Sequence, residues 1–293
     1  MSDTFGTHLI SIVEAAQSVY KSGRLMTESA PEHFNAIAGQ YAASEVHAHS
    51  PTIRRLHGLL AAERQGAICD VACGPGHLAL SFAGQASRIV GVDAAPNMLR
   101  QFERLAKERG VTVETVQAFA EKIPLASNSF DTVASRLAPH HFPSVARAVQ
   151  EMVRLAKPGG RVAVIDLEGS DHPALDEFNH ELEVLHDPTH IRSHSARRWR
   201  EYFEECGLVV DALESGQTEL PGGLSVRRWC EIGSTEKAAR EKIRARLEQA
   251  PRELLEELGI RFEDGEFYLP VRTLIILGRK PKEPGCRLVT VQT

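Results

Sequence analysis

The chain has 293 residues, of which 42% are hydrophobic and 25% are charged, a composition typical of a soluble globular protein. Its formal net charge of −5 at pH 7 creates no positive field that would attract nucleic acid or an anionic membrane. No apolar run approaches the roughly 18 residues of a membrane span, and the N-terminus lacks the features of a signal peptide. The five cysteines form no C-x-x-C pair, which favours a reducing compartment. We therefore predict a cytoplasmic protein that binds no nucleic acid.

Two helical segments are predicted before the first strand, because apolar residues recur at helical spacing over 8–21 and 31–48. From residue 66, short β-branched runs alternate with longer helical stretches, which indicates a parallel sheet covered by helices. The sequence KPGG at 157–160 predicts a turn before the fifth strand. The predicted strands cover 67–72, 88–93, 111–117, 130–136 and 161–167, and the predicted helices cover 77–86, 96–109, 143–156 and 173–186.

The last third of the chain predicts two more strands and an insertion between them. A helix at 195–206 precedes a sixth strand at 208–215, and a seventh strand is expected at 267–280. The stretch between these strands is too long for a hairpin loop, so we interpret it as a helical insertion over one end of the sheet. The fold class is therefore α/β, with a Rossmann-like, seven-stranded, mostly parallel sheet and helices on both faces. The expected units are a helical cap or lid (1–64), the core (65–215), the insertion as a substrate cap (216–266), the last core strand (267–281) and a tail (282–293).

A glycine-rich turn follows the first predicted strand. In ICDVACGPGHLAL, the strand ends in Asp70 and continues through Gly74 and Gly76 into a helix. Since glycine has no Cβ, the backbone can turn tightly and a ligand can come close. Ligands of such folds gather at this carboxyl end of the strands. Asp93 ends the second strand, where a carboxylate can accept hydrogen bonds from the hydroxyls of an adenosine ribose.

Two cofactors suit such a turn, and the sign of their charge distinguishes them. A dinucleotide fingerprint starting at Gly74 would have a third glycine where this chain has Ala79, which is a tolerated change. A dinucleotide site, however, places a pyrophosphate at the helix N-terminus, and Asp70 would repel it. S-adenosyl-L-methionine (SAM) carries an ammonium and a sulfonium instead. Asp70 therefore favours SAM over NAD.

The sequence resembles the class I SAM-dependent methyltransferases over about residues 31–215. The similarity is to their small-molecule branch, which includes the ubiquinone and menaquinone methyltransferases with a methyltransferase type 11 domain. DVACGPG looks like the first family motif, usually D-V-G-C-G-x-G, with Ala72 in place of the first glycine. The stretches VGVDAAPNML, AFAEKIPLASNSFDTVASRLAPHHF and MVRLAKPGGRVAVID resemble the later motifs and follow in the family's order.

The resemblance implies a cofactor site in which Asp93 holds the ribose and Ala94 and Met98 line the adenine. One position departs from the family, because Phe119 stands where an acidic residue often accepts the adenine amino hydrogen bond. Adenine recognition would then rest on the backbone at Ala120 or on Glu121, and Phe119 packs either on the ring or in the core. The predicted cofactor-binding residues are Asp70, Ala72, Cys73, Gly74, Gly76, Asp93, Ala94, Met98, Ala120, Glu121, Arg136 and Tyr41.

Two adjacent histidines are the candidate catalytic residues. His140 and His141 follow the fourth strand, at the end of the sheet where a substrate would lie. A histidine pKa near neutrality suits a general base, which is needed when the acceptor must lose a proton. His141 is the preferred candidate. The alternative is that the pair caps the next helix and packs beside the cofactor.

A second histidine-rich segment, LHDPTHIRSHS at 185–195, is similar to a D-P-[ST]-H-x-R stretch in the active-site wall of the family. His186, His190 and Arg192 are therefore candidate substrate contacts, and an ordinary loop is the alternative. Histidines spaced by four also resemble metal ligands on a helix, but Pro188 would interrupt that helix, so we predict no metal.

These observations predict a SAM-dependent methyltransferase that acts at O, N or C of a small, partly apolar molecule and releases S-adenosyl-L-homocysteine (SAH). One alternative is a protein of the same fold that binds SAM without transferring the methyl group, as a cyclase-like or regulatory protein. Another is an NAD-linked oxidoreductase, which Asp70 and the lack of a Tyr-x-x-x-Lys relay disfavour. The variable cap would determine the acceptor. The sequence leaves the oligomeric state open, a homodimer included.

Overall fold

Two helices precede the sheet in the computed structural model, which describes residues 29–44, 50–60 and 66–282. Helix α1 (Ala30–Ala42) starts where the Ser29 N–H donates to the Glu32 carboxylate, 2.9 Å away. Helix α2 (Pro51–Leu60) buries Ile53, Leu56 and Leu60. The predicted helix at 8–21 and the tail after residue 282 lie outside the described residues. Among the described residues, no helix combines the length and apolarity needed to cross a membrane.

Seven strands form the central sheet, as predicted. The core elements, in chain order, are β1 (Ala67–Val71), α3 (His77–Ser81), β2 (Arg88–Asp93), α4 (Pro96–Glu108), β3 (Glu114–Gln117), β4 (Phe130–Arg136), α5 (Val145–Leu155), β5 (Ala156–Leu167), α6 (Pro173–His186), α7 (Ala196–Glu205), β6 (Val209–Thr218) and β10 (Arg272–Arg279). Their spatial order is β3-β2-β1-β4-β5-β10-β6. Strands β1 to β5 pair in parallel, whereas β10 is antiparallel to both of its neighbours.

Helices cover both faces of this sheet. Alternate residues of each strand point to opposite sides, so apolar side chains on both faces need to be covered. Cys69 and Val71 of β1 belong to the core under α5 and α7. Ile68, between them, packs instead with α2 on the other face. The Rossmann-like, doubly covered architecture expected from the sequence is therefore confirmed.

The insertion between β6 and β10 is only partly helical, which corrects the sequence prediction. It contains β7 (Leu224–Ser225), α8 (Val226–Ile232), α9 (Lys237–Glu248), α10 (Arg252–Leu258), β8 (Arg261–Glu263) and β9 (Glu266–Leu269). Its three strands form a separate antiparallel sheet in the order β7-β9-β8. Trp229 and Phe267 of the insertion share an apolar core with Phe178 and Leu182 of α6. The insertion is thereby packed against α6 of the core.

Two further differences from the sequence predictions have local causes. The single strand expected at 267–280 is two strands in different sheets, because Pro270 has no N–H to donate and Val271 has a φ of +43°. The predicted turn at 157–160 lies within β5 as a bulge. Pairing with β4 jumps there from Phe130–Ala156 to Thr132–Arg161.

Candidate active site

A cavity of about 390 Å³ lies where the parallel strands end. Asp70 of β1, Asp93 of β2, Arg136 of β4 and Leu167 of β5 line it. Helix α1, the segment after α6 and the insertion complete its walls. Its position and size are those of a small-ligand site in an open α/β sheet. The predicted site residues that line it are Tyr41, Asp70, Ala72, Cys73, Gly74, Asp93, Ala94, Met98, Ala120, Glu121, Arg136, His140, His141, His186 and His190.

The glycine-rich turn after β1 contains two glycines with different roles. Gly74 has a φ of +52° and lines the cavity, and an added Cβ would meet only Met98 Sδ, at 3.9 Å. Gly76 is not among the cavity-lining residues. A Cβ there would overlap the ring of Phe102, which α4 inserts beneath the turn. The lack of a side chain at Gly76 therefore makes room for the protein's own core, and a contact of Gly76 with the cofactor stays a prediction.

Two carboxylates flank this turn, of which Asp70 is buried and Asp93 is partly buried. Asp70 is 1% exposed and accepts a hydrogen bond from the Ala79 N–H at 3.0 Å. Burial raises the pKa of Asp70 to about 7, although the Ala79 N–H and the positive charge of Arg136 oppose this rise. Asp93 accepts from the N–H groups of Gly74 and Ala95, both at 2.8 Å. Burial also raises the pKa of Asp93.

Arg136, at the end of β4, belongs to a buried polar cluster that the sequence did not reveal. Its guanidinium pairs with Glu219 at 2.9 Å, and both side chains are almost fully buried. Glu219 follows β6 and also accepts from the Ser50 and Thr52 hydroxyls at the start of α2. This cluster joins α2, the central sheet and the start of the insertion beside the cavity.

The loop after β3 carries the residues expected near an adenine. Phe119 lines the cavity and is 60% exposed, so it does not belong to the core. Ala120 is buried at the cavity wall. The Glu121 carboxylate accepts from the Ser144 N–H at 3.2 Å, at the start of α5. An exposed aromatic ring in this position is available to a planar ligand.

His140 forms a close pair with an acid that sequence reasoning missed. Its Nδ1–H donates to Asp166 Oδ1 at 2.6 Å, and Asp166 is fully buried at the end of β5. Burial alone would lower the pKa of His140, but the charge and hydrogen bond of Asp166 outweigh it, and the pKa is raised. Asp166 lies near the end of β5, as Asp70 lies near the end of β1. This pattern of an acid at a strand end could have identified Asp166 from the sequence.

His141 has a different environment from its neighbour. Its Nδ1 lies 3.1 Å from the Thr189 carbonyl oxygen, and its Nε2 is 3.7 Å from Asp187 Oδ2. Asp187 accepts from both the N–H and the hydroxyl of Thr189, each at 2.7 Å. Burial and the adjacent His140 lower the pKa of His141 to about 3, against the attraction of Asp187. His141 is therefore the weaker base of the pair.

The predicted substrate residues occupy three different settings. The His186 ring stacks on Trp229 of the insertion, with centroids 3.9 Å apart. The His190 ring stacks near His140 at 5.2 Å, and burial lowers the pKa of His190. Arg192 does not line the cavity, because it pairs with Asp176 and Glu177 of α6. Within the described ranges, no group of three or more His, Cys, Asp or Glu side chains is arranged to hold a metal ion.

The comparisons with known proteins identify the class that this fold and cavity define. Residues 69–164 match the family model described as a methyltransferase domain. The crystal structure of YcgJ from Bacillus subtilis has a TM-score of 0.71 and 28% identity, covering 79% of this chain and 99% of that one. The structure of a proposed methyltransferase from Bacillus halodurans C-125 gives a TM-score of 0.73 and 27% identity, covering 78% and 98%.

Sequence similarity extends the match to whole relatives. YcgJ, described as an uncharacterized methyltransferase, is 32% identical over 218 residues, which are 74% of this chain and 83% of YcgJ. The demethylmenaquinone methyltransferase of Desulfitobacterium hafniense is 34% identical over 180 residues, covering 53% of this chain and 69% of that protein. The chain belongs to the SAM-dependent methyltransferase family. The resemblance stated from its motifs is confirmed, and the NAD-linked alternative is set aside.

Proposed function

We propose that this methyltransferase transfers a methyl group from SAM to a small, partly apolar acceptor that loses a proton, and releases SAH. The observation that carries the proposal is one cavity lined both by the strand-end carboxylates Asp70 and Asp93 and by the His140 ring. A cofactor held by the carboxylates and an acceptor beside the histidine would share this space. Proximity of this kind supplies a large part of the rate in a displacement reaction.

The cofactor end has groups that fit SAM. The buried Asp70 carboxylate would be stabilised by a ligand ammonium, which offsets its desolvation. Asp93 is held by two backbone N–H groups, and each of its oxygens can accept a further bond from a ribose hydroxyl. At Gly74, a Cβ would project into space that a ligand can use. The negative charge of these two acids does not fit a pyrophosphate.

Phe119 and Ala120 supply the surface that we assign to the adenine. Phe119 offers a ring face in the cavity, and the Glu121 carboxylate already accepts a backbone bond from Ser144. We therefore expect Phe119 to stack on the adenine and backbone groups at Ala120 to recognise its edge. Met98, which packs with Ala38 and Ala95, would support the other side.

His140 is the residue that we assign as general base. SAM, when bound, supplies a methyl group that its sulfonium already activates. The bond to Asp166 fixes the proton of His140 on Nδ1, so the neutral ring has its lone pair on Nε2, the atom that can take a proton from the acceptor. Asp166 would also stabilise the imidazolium that forms. The sequence preferred His141, but its lowered pKa makes it a poorer proton acceptor.

The acceptor end of the cavity fits a small molecule with apolar parts. Phe34 of α1 and Trp229 and Ile232 of the insertion line it beside the histidines. The Phe34 ring packs edge to face on His141, with centroids 4.9 Å apart. An apolar wall next to a proton acceptor would hold a ring or chain while one heteroatom or acidic carbon faces His140.

Calorimetry with SAH, followed by a turnover assay, tests the proposal. We expect SAH to bind with 1:1 stoichiometry and NAD, the control, not to bind. SAM should then be converted to SAH with some members of a panel of phenols, alcohols, amines and activated carbon acids. Absence of SAH binding would contradict the proposal. Binding without turnover on any member would favour the alternative of a SAM-binding protein that transfers no methyl group.

A further inference from the structure

Six acidic side chains line the cavity, and one of them differs from the rest in its hydrogen bonding. Asp70, Asp93, Glu121, Asp187 and Glu219 each accept at least one hydrogen bond from another residue. The Glu183 carboxylate accepts none from the described part of the chain. A partly buried carboxylate without a donor from the protein needs one from a ligand or water.

The helix that carries Glu183 is oriented with a polar face toward the interior of the protein. Phe178 and Leu182 of α6 pack into the core of the insertion. His180, Glu183 and His186 follow one another at a spacing of three, on the face turned to the histidines and the cavity. His186 has a partner within the protein, because its Nδ1 lies 3.0 Å from the Thr235 hydroxyl. Glu183 is therefore the carboxylate of this face that a polar ligand could contact.

Titratable groups from three segments of the chain define the electrostatic environment of Glu183. Burial raises the pKa of Glu183 to about 7, His140 on the segment after β4 lowers it, and Asp187 and Asp166 raise it further. Asp166 and Asp187 already hold His140 and Thr189, respectively. Their charges make this end of the cavity unfavourable for an anion. At this end of the cavity, Glu183 is thus the lining acid whose carboxylate accepts no bond from the described residues and can accept one from a donor outside the protein.

An aromatic surface lies within one helical turn of Glu183. His186 follows it by three residues, and its ring stacks on Trp229 at 3.9 Å. Gly233 permits this contact, because a Cβ at that position would overlap the His186 ring. A ligand that reaches Glu183 therefore meets an aromatic wall and a carboxylate together.

We propose that Glu183 selects the acceptor by accepting a hydrogen bond from it, so that acceptors are apolar or aromatic molecules bearing a hydroxyl or a protonated amine, and carboxylates are rejected. This inference rests on the proposed function, since it assigns the acceptor end of the same cavity. Glu183 is here a specificity-determining residue that takes no proton. An ammonium bound to Glu183 keeps other N–H protons for His140, whereas a hydroxyl has only one proton, so a hydroxyl bound to Glu183 is a second group of the acceptor beside the one that is methylated. A charge-assisted bond of this kind corresponds to about a 10- to 150-fold change in affinity.

Binding of four matched ring compounds tests the assignment. Benzylamine, benzyl alcohol, toluene and benzoate would be titrated at pH 8 into the full chain, with and without saturating SAH. We expect at least one of the two donor compounds to bind ten times more tightly than toluene and benzoate. A preference for benzylamine alone would indicate an acceptor recognised through an ammonium, and a preference that includes benzyl alcohol would indicate an acceptor recognised through a hydroxyl.

Two variants complete the test. Glu183→Leu, which has no hydrogen-bond acceptor, should abolish this preference while SAH affinity and the melting temperature change little. Glu181→Leu, the control on the same helix, should keep the preference, because Glu181 does not line the cavity and pairs with Arg246. The inference is overturned if no ring compound binds at millimolar concentration, if benzoate binds as well as the donors, or if Glu183→Leu retains the ranking. Loss of SAH binding in the wild type would instead contradict the proposed function, and the titrations without SAH would still report on Glu183.

Discussion

The two ends of the cavity satisfy their polar groups in different ways. At the cofactor end, backbone N–H groups of Gly74, Ala79 and Ala95 hold the carboxylates of Asp70 and Asp93. At the acceptor end, side chains from α6, β5 and the segment after β4 hold one another. The described residues offer no hydrogen bond to Asp166 Oδ2, His190 Nε2 or the Glu183 carboxylate. We therefore propose that the backbone preforms the first end and that a bound ligand completes the second.

This contrast predicts that variants at the two ends affect different measurements. The largest effect is expected for His140→Ala, because loss of a general base typically lowers the rate by about 10²- to 10⁴-fold. SAH affinity should stay within about threefold of the wild type, as calorimetry can establish. His141→Ala is the matched control and should retain more activity. Equal losses for both variants would show that the pair acts only by packing.

The pH dependence of turnover in Asp166→Asn tests the assignment of His140 as general base further. His140 accepts a proton only when neutral, so the rate should rise with pH through its raised pKa and then level off. Removing the Asp166 charge lowers the pKa of His140. The rise should then shift to lower pH, with a plateau reduced by about tenfold or more. An unshifted pH profile would contradict the positioning role of Asp166.

At the cofactor end, Asp70→Asn should weaken SAH binding by about 10- to 150-fold, the range for a lost charge-assisted bond. The folded protein should not be destabilised, because an amide oxygen can still accept from Ala79. In the wild type, SAH affinity should fall as the pH drops below about 7, where Asp70 becomes protonated. Asp211→Asn on β6 provides the control, since Asp211 pairs with Arg161 and Arg279 away from the cavity. An unchanged affinity in Asp70→Asn would contradict the ammonium assignment.

Variants of the two glycines of the turn should affect ligand binding and core packing differently. Gly76→Ala should lower the free energy of unfolding by about 2–5 kcal/mol, from overlap with Phe102 and a left-handed backbone. Gly74→Ala should lower the free energy of unfolding by only about 1–2 kcal/mol. It should weaken SAH binding more strongly than Gly76→Ala does. Chemical denaturation and calorimetry give the two quantities. The reverse pattern would mean that Gly74, not Gly76, supports the core.

The smallest effect is expected at Ala72, a non-glycine residue with a φ of +53°. Ala72→Gly should raise the free energy of unfolding by about 0.5–1 kcal/mol, since relief of left-handed strain exceeds the added chain entropy. Ala146→Gly in α5 is the control and should lower it by about 1 kcal/mol. A destabilised Ala72→Gly would show that the strain at this position is negligible.

The same contrast explains how much the sequence could predict. Strands β2 and β4 and the acids Asp70 and Asp93 could be placed because local patterns specify strand ends and the turn between them. The role of Gly76 could not be read, because its neighbour Phe102 comes from a helix that follows later in the chain. Glu183 and Glu219 gave no signal, since an acid on a helix or after a strand is usually solvated. The acceptor end depends on contacts between distant segments, which periodicity does not encode.

A crystal structure of the protein with SAH tests the central claim most directly. The account predicts that the amino group of SAH contacts Asp70, that its ribose hydroxyls contact Asp93, and that the space between its sulfur and His140 stays open for an acceptor. SAH bound with its ribose among His140, Glu183 and Trp229 would contradict the assignment of the two ends.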